Sequence, residues 1–165
     1  MLYYYIIIYL LYNNITYIYY YMNNILTNPD LIIENSDILN KNIDCCIELT
    51  SDYNISLVIY TILKNNYRYI GNKKWDYYNN IQKTWIVDEN SIRLKHDIKT
   101  IVCNYFLIRF NYWENLGKIH TNDIDYNNDC QFKANKLLVC SNKLKQDKFI
   151  SVIIKEARSF FEYNE

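Results

Sequence analysis

The spacing of apolar residues changes character along the chain, and those changes mark its segments. Residues 1–22, MLYYYIIIYLLYNNITYIYYYM, have no periodicity: Tyr, Ile and Leu run together, broken mainly by Asn13 and Asn14. Asn28-Pro29-Asp30 is a turn signal. Residues 31–50 alternate apolar pairs with acids and asparagines, a pattern that fits irregular structure or a short helix. From Ser51 the order improves. Ser51 or Asp52 is placed to cap a helix whose apolar positions Ile55, Val58, Ile59, Ile62 and Leu63 recur at helical spacing, with Asn65 and Asn66 ending it.

Three short runs rich in Tyr, Trp, Ile and Val follow: Tyr67–Ile70, Trp75–Tyr78 and Thr84–Val87. Turn residues separate them, Gly71-Asn72-Lys73 and Asn79-Asn80, so an antiparallel meander is expected. Asn90 or Ser91 then caps a second helix with the stripe Leu94, Ile98, Ile101, Val102, Tyr105, Ile108, ending near Trp113. Residues 114–130 are rich in Asn and Asp and read as a loop. Residues 131–145 read as a third helix or helix pair carrying Leu137, Leu138 and Leu144. Asp147 caps a last helix with the core face Phe149, Ile153, Ala157, Phe160 and Phe161. The expected fold is α+β, a mainly helical domain with a small antiparallel β-meander over 51–165. It is preceded by a Tyr/Ile-rich tract (1–22) and an irregular acidic segment (23–50).

The N-terminal tract has the length of a membrane span, about 20 residues. Yet two asparagines sit in its middle, no Lys or Arg flanks it, and nine tyrosines favour an interface over a hydrocarbon centre. It also lacks the basic start and small-residue cleavage site of a secretory signal. The expectation is a loosely attached strand or helix, or sequence upstream of a start at Met22, with a membrane anchor as the rival reading. Asn, Ile, Tyr and Lys dominate the composition, and their A/T-rich codons point to an A/T-rich genome.

Lys plus Arg and Asp plus Glu each total 18, so no whole-molecule charge draws the chain to a polyanion. The charge is uneven, however. Residues 1–50 hold five acids against Lys41 alone, whereas residues 131–165 hold seven bases against four acids. The candidate nucleic-acid contacts are therefore Lys133, Lys136, Lys143, Lys145 and Lys148, together with Lys73, Lys74, Trp75 and Tyr77 of the aromatic hairpin. Stacking surfaces mixed with cations can hold a single strand. Alternation puts Trp75 and Tyr77 on one sheet face, where packing against a helix is the competing use.

Catalytic patterns are missing. Gly71 and Gly117, the only glycines, cannot build a phosphate-binding P-loop or a dinucleotide fold. His96 and His120 have no recognisable catalytic setting. Asp123, Asp125 and Asp129 lack the glycine and final glutamate of a calcium loop. The five cysteines are irregularly spaced, which favours reduced thiols. His120, Cys130 and Cys140 lack the paired spacing of a zinc site, and Cys103 reads as a small core residue. No enzyme activity, metal or cofactor is expected.

Together, Tyr67-Arg68-Tyr69-Ile70, Trp75-Asp76-Tyr77-Tyr78-Asn79, Trp85, Ser91-Ile92-Arg93-Leu94 and Lys155-Glu156-Ala157-Arg158-Ser159-Phe160-Phe161 form an ordered series. In that order and spacing, residues 52–165 resemble the region preceding the superfamily 3 helicase in poxvirus- and giant-virus-type helicase–primases, also found in satellite-phage and plasmid primases. The resemblance implies a helical collar or linker making oligomer contacts, with passage of DNA as a further role. It implies as partners a helicase ATPase subunit or further copies of the chain, with weak DNA binding. It places the protein in the host cytoplasm at a viral replication site, or in the virion, and not among secreted proteins. The family's P-loop module and primase portion have no counterpart here, so the resemblance implies a fragment, a split-gene product or a decaying copy.

Overall fold

Helical order begins before the first strong apolar stripe. The computed structural model describes residues 37–120 and 122–162, in a compact unit spanning Ser36–Glu165. The Tyr/Ile tract, the Asn28-Pro29-Asp30 turn and the alternative start at Met22 lie outside the described residues. Helix α1 covers Asp37–Glu48 and buries Leu39, Ile43, Cys46 and Ile47. Of the two readings of 31–50, the helix holds from Asp37, and it packs against α2 (Asp52–Leu63) and α5 (Ile124–Lys143). Of the acids in this helix, Asp44 lies between buried positions, and Asp37 and Glu48 stand at its two ends.

Helix α2 starts where the sequence places it, with the Ser51 hydroxyl accepting from the Asn54 N–H. It buries Ile55, Ser56, Val58, Ile59 and Leu63. Strands β1 (Tyr67–Tyr69), β2 (Trp75–Asn79) and β3 (Thr84–Asp88) form the expected antiparallel meander in the order β1-β2-β3. Tyr69 faces Trp75 across the first pair and Tyr78 faces Trp85 across the second. The β1–β2 turn has Gly71, Asn72 and Lys73 at φ 84°, 49° and 61°. Lys74 N–H closes it on the Gly71 carbonyl at 2.8 Å. A Cβ on Gly71 would meet nothing within 4 Å, so only the left-handed backbone favours glycine there.

The second long helix departs from the sequence expectation at both ends and in its middle. Neither the Asn90 nor the Ser91 side chain caps it. Both residues lie in the left-handed region, at φ 55° and 56°. The Asp88 carboxylate instead accepts from the N–H groups of Arg93 and Leu94 at 2.9 and 2.8 Å. Helix α3 (Ile92–Asp97) runs through a π-helical turn, Ile98–Val102, into α4 (Cys103–Ile119). A π-turn inserts about one extra residue into the ridge, so the apolar face moves on by one position. The buried set after Val102 is Cys103, Phe106, Arg109 and Gly117, not Tyr105 and Ile108, and Ile101 is 39% exposed.

The loop expected over 114–130 is mostly helix. Helix α4 continues to Ile119, and α5 begins at Ile124 after a short turn. Of the Asn and Asp residues that suggested a loop, Asp125, Asn128 and Asp129 lie on α5's exposed side, Asn127 faces Gly117 of α4, and Asp123 caps α5 by accepting from Tyr126 N–H at 3.0 Å. Helices α4 and α5 pack closely because Gly117 has no side chain: a Cβ there would lie 3.2 Å from Cys130 Cβ. Helix α6 (Asp147–Phe161) buries Ile150, Ile153, Ile154, Ala157 and Phe161. Of its expected face, Phe149 and Phe160 are only half-buried. Gln146, not Asp147, is its N-cap residue. Asp147 sits in the first turn and pairs with Lys99 at 2.7 Å; that bond holds its carboxyl below the usual range.

Helix α2 packs along α6, where Ser56 Oγ donates to the Ile153 carbonyl at 3.2 Å. The sheet caps the end of this pair. The fold is thus α+β, mainly helical, with a small antiparallel sheet. Among the described residues no helix is long and apolar enough to cross a membrane.

Candidate functional site

Register decides what the aromatic hairpin offers. Alternation along β2 turns Trp75 and Tyr77 one way and Asp76 and Tyr78 the other. Trp75 is 1% exposed, with its ring 5.3 Å from that of Tyr69 and 5.2 Å from that of Phe161. It presents no face to a base. Tyr77 is half-buried and covered by the Arg93 guanidinium, 4.2 Å from its ring centre. Next to it, the Tyr67 hydroxyl donates to Asp97 at 2.6 Å; burial and then this bond push the phenol well above its usual range. This face is a packing surface.

Lys73 and Lys74 line a shallow cavity of about 410 Å³, but Asp88 and Glu89 line it too. The helical lysines are similarly compensated. Lys133 binds Asp129 at 2.7 Å and lies 4.3 Å from the Trp113 ring centre. Its ammonium pKa is raised, chiefly by the Asp129 bond. Lys136 approaches Phe132 and Lys143 approaches Phe149, at 5.3 and 5.7 Å. Helical geometry puts Lys133, Lys136 and Lys143 along one flank of α5, spread over roughly 15 Å. Lys145 and Lys148 follow in the connector and the first turn of α6, both exposed. The hairpin lysines and the α5–α6 lysines stand on separate elements.

The opposite side of the hairpin holds a better-formed arrangement. Arg68 on β1 donates through Nε and Nη2 to Asp76 Oδ2, at 3.0 and 2.9 Å. Its guanidinium lies 4.6 Å from the Trp85 ring centre, and Tyr78 meets Trp85 edge-on at 5.2 Å. Where β1, the end of α2 and the end of α6 converge, a cleft of about 200 Å³ opens, lined by Tyr60, Lys64, Tyr67, Arg68, Trp85, Phe160, Phe161 and Glu162. Tyr60 stacks on Phe160 at 5.9 Å and meets Phe161 edge-on at 5.1 Å. Trp75 and Tyr77 lie on the packed face of the hairpin, and Tyr78 and Trp85 on the opposite one. Cross-strand pairing builds this face: with β1 and β2 in register, Arg68 falls opposite Asp76. The α2 and α6 residues carried no sequence signal, because they reach the cleft only through tertiary packing.

The remaining sequence candidates fall apart from one another. Among the described residues no three His, Cys, Asp or Glu side chains are grouped to hold a metal ion. Asp123, Asp125 and Asp129 belong to the cap and body of α5. Cys130 and Cys140 are buried on α5, and burial raises both thiols above their usual range. His120 is exposed and stacks edge-on against Tyr126 at 5.0 Å. Cys103 is buried, with Sγ 3.0 Å from Ser141 Oγ. No family model, curated protein or solved structure matches this chain.

Proposed function

We propose that the chain is a non-catalytic contact module of a viral DNA-replication helicase–primase, acting through a helicase ATPase subunit or further copies of itself. The order and spacing of the motifs from Tyr67 to Phe161 supply the family, and they fall on residues used for packing: Tyr69, Trp75, Leu94, Ala157 and Phe161. A region whose distinctive residues build a scaffold acts through the surfaces that scaffold presents.

The observation that carries the contact role is the tip where α4 turns into α5. Ile119 and Ile124 flank that turn and are 64% and 73% exposed, with Tyr126 37% exposed beside them. Antiparallel helices joined by a short turn bring these side chains to one end of the molecule, where a partner can cover them. The α5–α6 lysines are a secondary element, because Asp129 and aromatic rings already engage several of them.

Sedimentation velocity of the chain alone, and mixed with the ATPase module of a superfamily 3 helicase, tests this reading. Association is expected in at least one case, and Ile119→Asp with Ile124→Asp should abolish it. A chain that stays monomeric and ignores the ATPase module would refute the proposal.

A further inference from the structure

We infer that the cleft between the ends of α2 and α6 and the Trp85 side of the sheet binds one nucleotide, with its base against the aromatic wall and its phosphate at Lys64. Three observations define the ligand. The first is shape and chemistry. Five of the eight lining residues are aromatic. Tyr67 and Phe161 are buried and Arg68 covers part of Trp85, so the apolar surface on offer is that of half-buried Tyr60, Phe160 and Trp85. A base offers a π-face whatever its identity.

The second is charge. Lys64, Arg68 and Glu162 are the charged residues that line the cleft among the described residues, and Asp76 is bonded to Arg68. Aromatic walls alone would also suit a quaternary ammonium, but the Lys64 ammonium lining the cleft favours an anionic ligand instead. Arg68 shares its charge with Asp76 and is fixed against Trp85. Its role is to orient the ring and set the local potential, while the exposed Lys64 side chain has the reach to meet a phosphate.

The third is size. At about 200 Å³ the cleft is smaller than the ~300 Å³ at which drug-sized pockets begin. That size suits a single base. A nucleotide of this kind comes from two sources, a residue of single-stranded nucleic acid or a free mononucleotide.

The three indole N–H resonances of the full chain, from Trp75, Trp85 and Trp113, report binding site by site in an NMR titration. The probes are single-stranded oligothymidine, thymidine monophosphate and inorganic phosphate. Oligothymidine or the mononucleotide, or both, should shift the Trp85 resonance while Trp75 and Trp113 stay in place; which of the two acts identifies the source. Lys64→Glu, on an exposed side chain, should weaken that binding about tenfold and flatten its salt dependence. Trp85→Leu should weaken it by a similar factor or more.

Phosphate alone reproducing the Trp85 shift would reduce the site to an anion contact and overturn the inference, as would a Trp85 resonance that no probe moves. Lys136→Glu weakening the binding as much as Lys64→Glu would show that diffuse charge holds the strand, and would overturn it equally. The inference rests on the proposed replication role only for where the nucleotide comes from. A chain that stays monomeric and ignores the ATPase module, yet binds in this cleft, would sink that role and leave the site standing.

Discussion

Replacing Asp44 by Asn should destabilise the domain by about 2–3 kcal/mol, because Asp44 is the counter-charge of a buried arginine. Arg109 on α4 is 8% exposed. Its Nε donates to Asp44 Oδ1 at 2.9 Å, its Nη2 reaches Oδ2, and Trp113 Nε1 donates to Oδ1 at 3.2 Å. One carboxylate on α1 thus satisfies three donors from α4. Breaking a buried ion pair from one side costs roughly 3–5 kcal/mol. Two features reduce that figure here. The Asp44 side chain is 29% exposed, so water reaches the site. The guanidinium also keeps its stacking on Tyr112, 4.2 Å from the ring centre, worth about 0.5–2 kcal/mol.

Urea unfolding followed by tryptophan fluorescence measures the effect. With an m-value of about 1.5 kcal/mol/M, the midpoint should fall by roughly 1.3–2 M without a change in slope. Arg109→Met and the double variant complete a cycle, in which the double variant should be more stable than the two single losses sum to, by about 2 kcal/mol. A loss below about 0.5 kcal/mol with no coupling would place the pair among surface ion pairs. Asp44 would then not be what anchors α1 to α4.

Three further outcomes are expected. Trp75→Ala should cost about 3–5 kcal/mol in the same urea assay, since the indole is 1% exposed and leaves a cavity between Tyr69 and Phe161; a loss under about 1 kcal/mol would contradict its core role. Gly117→Val should lower stability by about 2 kcal/mol, because a Cβ there already lies 3.0 Å from Asn127 Oδ1 and 3.2 Å from Cys130 Cβ; an unchanged melting temperature would show that α4 and α5 can separate freely. Stability should also decline as pH rises through the alkaline range. Burial keeps the Cys46 thiol and the Tyr67 phenol protonated in the folded chain, whereas the unfolded chain releases those protons near the ordinary values of 9.0 and 10.0. The unfolded state then binds fewer protons, so the stabilisation is full below about pH 9 and is lost above it. Tyr67→Phe should be weaker at pH 7 by about 1 kcal/mol through the lost bond to Asp97, yet fall less steeply above about pH 10; an equally steep fall would remove Tyr67 from the explanation.

Elements whose signals are local could be read from the chain without its fold. Ser51 and the stripe from Ile55 to Leu63 set α2, and β-branched and aromatic runs between turn residues set the meander almost to the residue. The face of α6 was legible in outline, because a 3.6-residue period survives wherever a helix is regular and packs on one side. Tertiary packing settled the rest. The π-turn at Ile98–Val102 moved the buried face of the following helix by one position, a shift that periodic reading from Leu94 cannot anticipate. The Asn- and Asp-rich stretch before Cys130 is helical because Gly117 lets α4 and α5 approach closely enough to stabilise it, overriding weak intrinsic propensity. The cleft around Trp85 is a tertiary product for the same reason: Tyr60, Trp85 and Phe160 are far apart in the chain. Only strand pairing and the docking of α2 on α6 bring them together, and no local pattern encodes such an encounter.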